Sequence, residues 1–264
     1  MTMTPARFEE LRPVYDLIPI VRELSADTLT PVAAFAALVR GSEDSFLLES
    51  VERGESLGRY SFLGVTPRKT MTFARGMSVP VPLLREELVP LRVYDEESLP
   101  PFFGGAVGYF GYGAAGWSER LPDRHASSDV PDAKLLFFDH VIAFDHLRQR
   151  LFVIANIFTN DPAPAAELLT LAKHRIDEIV HLLRAAKPDL IPLPFDAPAV
   201  DFAAATTRER FVEIVSKARE EITAGEIFQV VLSQSWSAPY PASEALILYR
   251  ALRAVNPSPY MFLL

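Results

Sequence analysis

Two short stretches carry side chains whose types and spacing could do chemistry. In FLLES, Glu49 and Ser50 follow an apolar run, so a carboxylate and a hydroxyl stand at the end of an expected strand, where a cationic amine could be held. The same pair also reads as a strand running out into a polar loop. In NPSPYM (Asn256 to Met261), two prolines stiffen a stretch that gathers backbone amides and carbonyls, an aromatic ring and a thioether after an expected helix. Such a turn either lines a site or simply joins helix to strand.

Other candidates point to structure rather than reaction. The glycine-rich FFGGAVGYFGYG (Phe102 to Gly113) lacks the Lys-Ser/Thr ending of a phosphate loop, and its glycine spacing is not the dinucleotide fingerprint. Its interleaved aromatics suit a tightly packed strand in which glycine permits close backbone approach. Five histidines (His125, His140, His146, His174 and His181) show no i, i+4 helical pair, and the absence of cysteine removes disulfides and thiolate zinc sites together. No carboxylate pair stands in an apolar setting that would separate an acid from a base, so no catalytic or metal-ligating set is visible.

Composition narrows the class further. With 49% hydrophobic and 23% charged residues the chain supports a sizeable core, and its net charge of -8 with scattered basic residues gives nucleic acid no footprint. No segment approaches the roughly 18 uninterrupted apolar residues of a membrane span, and no signal-like apolar core follows the start. A reducing, cytoplasmic setting is the expectation.

These segments need elements to hold them. Thr30 and Pro31 predict a helix N-terminus, with Gly41 as its stop. Strands are expected at Ser45 to Ser50, Arg59 to Gly64 and Lys69 to Arg75. The runs Leu135 to Asp145 and Arg150 to Phe158 flank the polar HLRQ and predict a long antiparallel hairpin. After Asp161 and Pro162 a helix is expected whose Leu168, Leu171, Arg175, Ile179 and Leu182 repeat at helical spacing, with Arg175 the one break in the apolar stripe. The proline-rich Lys187 to Asp201 reads as a linker. Beyond it, Thr206 and Glu209 have capping-box spacing for a helix buried through Phe211, Val215, Ala218 and Ile222 and closed by Gly225. Gly225 to Trp236 then reads as a strand, and Ser243 opens a helix that must end by Asn256. The apolar ending YMFLL suggests an interrupted strand, so Leu264 is expected to be a truncation point, with an edge prone to aggregation.

Taken in order, LLES, GRYSFLG, PPFFGGAVGYFGYG, PDAKLLFFDHVIAFDH, GEIFQVVLSQ and NPSPYMF resemble the N-terminal half of the large subunit, component I, of anthranilate synthase. The resemblance implies an α+β fold: antiparallel β-sheets packed face to face with peripheral helices, and an incomplete C-terminal lobe. It implies a regulatory, tryptophan-binding lobe over 1-186, a linker over 187-205, and the start of a chorismate-binding domain over 206-264. The family is a lyase that converts chorismate and ammonia to anthranilate and pyruvate with Mg2+, takes its ammonia from a glutamine amidotransferase partner (component II), and is feedback-inhibited by L-tryptophan. Ser50, Pro259, Tyr260 and Met261, with Glu49 and Asn256 beside them, match its tryptophan pocket. Its catalytic and magnesium residues are expected after Leu264, leaving this portion inactive alone. Gly113 stands where the family commonly has aspartate. The alternatives are aminodeoxychorismate synthase component I, which shares fold and substrate, and a catalytically silent tryptophan-binding module.

Overall fold

A computed structural model describes residues 3–39, 44–50, 58–74, 77, 81–87, 89–95, 99–120, 130–185 and 200–264. Helix α1 (Pro5–Leu11), capped by Thr4, precedes strand β1 (Leu17–Ser25). Helix α2 (Pro31–Leu38) has the expected cap, Thr30 Oγ1 accepting the Ala33 N–H at 3.2 Å. Its expected stop, Gly41, lies outside the described residues. The next expected strands are β2 (Ser45–Ser50), β3 (Tyr60–Val65) and β4 (Lys69–Phe73). Helix α3 (Val81–Glu87) follows, and the glycine-rich stretch supplies β5 (Gly105–Phe110) and a 3-10 turn over Tyr112–Trp117.

The apolar run expected as one hairpin arm is in fact two strands, β6 (Ala133–Phe138) and β7 (His140–Asp145). Only β7 pairs with β8 (Arg150–Phe158). Strand β6 sits between β4 and β5 in a three-stranded antiparallel sheet, whereas β7 and β8 belong to a six-stranded one. Its order is β1-β8-β7-β3-β2-β11, with β11 spanning Tyr260–Leu263, and every pairing is antiparallel.

The two sheets pack face to face. From β6, Leu136 and Phe138 meet Phe46, Val107 and Val141, while the alternate residues Leu135 and Phe137 join Phe73 and Leu84 of α3 on the other side. Covered on both faces, β6 has no polar alternation to mark it off from β7. Helices α2 and α4 (Ala165–Ala185) cover the far face of the larger sheet. The buried side of α4 is Leu168, Leu169, Ala172, Ile176, Ile179, Val180 and Leu183, and Leu171 is 59% exposed. This face is turned from the expected one because it carries no charge, leaving Arg175 free to pair with Glu178 at 3.3 Å.

By backbone contacts, residues 191–251 form a second compact unit, while 252–264 group with the first unit, 1–190, instead of continuing the second. The expected linker falls largely outside the described residues. In the second unit β9 (Ala203–Ala204) pairs with β10 (Trp236–Ser237), and α5 (Arg208–Ala224) is capped by Thr207, one residue after the expected Thr206. Gly225 closes it in the left-handed region, at φ 80. The strand expected over Gly225 to Trp236 does not form. Only its last residue finds a ladder partner, and Phe228 and Val231 are 94% and 84% exposed. An extended segment needs partners for its backbone groups; the Ala205 N–H donates to the Ser235 carbonyl at 2.9 Å and Gln234 Nε2 to the Thr206 carbonyl at 2.6 Å, but the secondary structure of the described residues gives 227–233 no ladder partner. Helix α6 (Ala245–Val255) runs from the second unit into the first. No described helix is long and apolar enough to cross a membrane.

Gly108 tests the packing of β5 on β6. A Cβ there would stand 1.9 Å from the Lys134 carbonyl oxygen, whereas one at Gly116 meets nothing within 4 Å. G108A is expected to cost about 1–3 kcal/mol in urea unfolding and G116A to leave the midpoint in place; equal midpoints would contradict the close approach.

Candidate functional site

The two stretches singled out in the sequence meet. Strand β11 adds to the edge of β2 with Tyr260 opposite Ser50 and Met261 opposite Glu49. Side chains alternate along a strand, so Glu49 and Met261 share one face of the sheet and Ser50 and Tyr260 the other. Asn256 and Pro259 are exposed in the turn that leads from α6 into β11, and the Asn256 N–H donates to the Leu252 carbonyl at 2.8 Å. All six residues therefore gather at one end of the six-stranded sheet, though not on one face.

Glu49 is 3% exposed, and its Oε2 lies 3.3 Å from Arg253 Nε in the last turn of α6. Carrying the β2–β3 register one step on sets Glu49 against the fully buried Ser61. Ser61 Oγ accepts the Ser50 N–H at 3.3 Å and lies 2.7 Å from His146 Nε2, which stacks on Phe144. With its hydrogen on Nδ1, His146 accepts the Ser61 hydroxyl, and both Ser61 bonds are then satisfied.

Asp145, 1% exposed, closes the arrangement at the end of β7. Burial works against its ionisation, but Arg59 (Nε to Oδ1 3.1 Å, Nη2 to Oδ2 2.9 Å), the Arg148 N–H and the Arg150 charge hold its carboxyl below the usual range. Arg59 also accepts the His146 N–H through its carbonyl. His146 itself is kept neutral chiefly by burial, with Asp145 opposing and Arg253 assisting. Arg253, Ser61 and His146 escaped sequence reasoning because no local spacing links them; only strand pairing brings them together.

Elsewhere, a groove of about 460 Å³ beside α4 is lined by Arg68, Asp139, His140, His174, Arg175 and Glu178, none of them singled out as a binding residue in the sequence. Among the described residues no three His, Cys, Asp or Glu are grouped to hold a metal ion. A Cβ at Gly113 would stand 2.1 Å from Asp132 Oδ1, so an aspartate there would force Asp132 aside.

The chain belongs to the chorismate binding enzymes, whose family model matches residues 43–264. Among its relatives are anthranilate synthase component 1 of Synechocystis, 34% identical over 97% of this chain and 55% of that protein, and of Thermus thermophilus, 38% identical over 92% and 52%. The crystal structure of anthranilate synthase component I from Streptococcus pneumoniae shares the fold, with a TM-score of 0.58 at 24% identity over 89% of this chain and 53% of that one. The chain spans about half the length of the curated relatives it matches.

Two histidines give the fold an acid dependence. Burial, then the Arg175 charge, against Glu178, lowers His140 to about 4 from 6.5, and His146 is lowered as well. The unfolded chain takes up these protons first, so stability is whole above pH 6.5 and falls as pH drops towards about 4. Asp139, raised by burial against Arg68, works the other way, while Asp16 and Asp145, both lowered, add their losses only below the usual carboxylate range. Urea midpoints measured across this window should decline, and H140Q should flatten the decline; an identical slope in H140Q would refute the assignment.

Proposed function

We propose that the protein containing this chain is the large subunit of an anthranilate synthase, and that this portion carries its tryptophan-responsive site. The complete subunit would convert chorismate and ammonia to anthranilate and pyruvate, with ammonia delivered by a glutamine amidotransferase partner, magnesium held by residues outside this chain, and the chain inactive alone. The observation that carries the regulatory part is the β11–β2 pairing, which sets Tyr260 and Met261 beside Ser50 and Glu49. It joins a carboxylate, a hydroxyl, an aromatic ring and a thioether, a set suited to an aromatic amino acid: the acid for its ammonium, the apolar groups for its ring.

Tryptophan would act by favouring one arrangement of this strand end over another, which requires it to bind the two with different affinity. The groups named here bind and position; none performs the reaction. In the complete subunit supplied with chorismate and ammonium, anthranilate should appear by its fluorescence; aminodeoxychorismate in its place would move the protein to the folate-pathway relative. S50A and M261A should each raise the tryptophan concentration for half-inhibition about tenfold or more, the loss of roughly 1.4 kcal/mol of binding, with turnover retained. Unchanged inhibition in both variants would remove these residues from the site.

A further inference from the structure

The carboxylate assigned to a ligand's ammonium already has a cation. Glu49 is buried, and Arg253 Nε stands 3.3 Å from its Oε2 with 41% of the arginine side chain exposed. A buried carboxylate without a neighbouring cation is costly, so an ion here stabilises the empty site. A ligand's ammonium would have to share that carboxylate with the Arg253 guanidinium, whose charge already reaches His146.

We propose that Arg253 is an internal stand-in for the ligand's ammonium: it holds Glu49 when the site is empty and is displaced into solvent when an amino acid binds. The inference rests on the amino-acid site described above. The exchange is close to charge-neutral, one cation replacing another, and the half-exposed guanidinium has water to return to. Two consequences follow. Affinity is reduced by the fraction of molecules in which Arg253 occupies the subsite, and a ligand lacking the amino group cannot compete for it. Binding also releases a contact made by the last turn of α6, three residues before Asn256. The contact released lies in the part of α6 that belongs to the first unit.

The test uses the complete subunit, with L-tryptophan and indole-3-propionate, its desamino analogue, as probes in calorimetry. R253Q is expected to bind tryptophan roughly tenfold more tightly if Arg253 occupies the subsite about nine-tenths of the time, whereas R253K, which keeps the charge, should stay near the wild type and indole-3-propionate should bind all three alike. Arginine modification by phenylglyoxal, followed at Arg253 by mass spectrometry, reads the same event in the unaltered protein. Tryptophan should accelerate it several-fold and indole-3-propionate should not. Wild-type binding with equal or weaker affinity in R253Q, or an Arg253 no more reactive with tryptophan bound, overturns the displacement and leaves the site standing. No tryptophan binding by the wild type overturns the site, and the displacement with it.

Discussion

The fold depends on how one chain passes from the smaller sheet to the larger at Asp139. Its carbonyl accepts the Asn156 N–H at 2.8 Å, so the backbone enters the larger sheet's ladder as soon as it leaves β6. Its carboxylate meets Arg68 Nε at 2.9 Å, in a setting where burial raises the carboxyl and Arg68 opposes that rise. Arg68 also donates its backbone N–H to the Phe137 carbonyl at 2.7 Å and lays its guanidinium 5.1 Å from the Phe158 ring centre. One residue beside β4 thus touches β6, the junction and β8. Without that crossing, the phenylalanines and valines between the sheets would have two independent layers to hold together rather than one continuous strand path.

At the end of this sandwich the sheet carries a density of polar groups unusual for its interior. Glu49, Ser61 and Asp145 are all buried, and each is matched: Glu49 with Arg253, Ser61 with His146 and the Ser50 N–H, Asp145 with Arg59 and Arg150. Such groups add little net stability compared with apolar residues of the same shape, but they make misalignment expensive. A slip of β2 by one residue would turn Glu49 towards the second sheet and separate it from both Arg253 and Ser61. The polar end therefore sets the register of β2, β3 and β7, and β11 reads that register when it pairs.

Local signals were legible in the sequence. The Thr30 cap, strands β2 and β3, and the end of α6 before Asn256 all depend on neighbours in the chain, and each formed where expected. What failed depended on distant partners. A run covered on both faces looks the same whether it is one strand or two, so the break at Asp139 was hidden. The face of α4 is chosen by what it packs on, which shifted burial from Leu171 to Leu169 and Ala172. Residues 227–233 have strand composition but no ladder partner among the described residues. At the candidate site, the motifs named Glu49, Ser50, Tyr260 and Met261, but not that they divide between two faces. Arg253, Ser61 and His146 had no signal in spacing at all: Ser61 and His146 meet across 85 residues of chain.

That division between faces constrains what can bind. A ligand touching only Glu49 and Met261 would lie on the helix-covered side; one touching only Ser50 and Tyr260 would lie on the side that faces the second sheet. A ligand that uses both rows has to lie across the strand ends, where Ser50 finishes β2 and Tyr260 begins β11. Among the described residues strand β11, four residues long, pairs only with β2, so its docking rests on few hydrogen bonds. Because β11 follows α6 directly, anything that favours the seated strand also favours one position for the end of that helix. A ligand at the sheet's end would thus act first on the α6–β11 segment, without any change in the sandwich core.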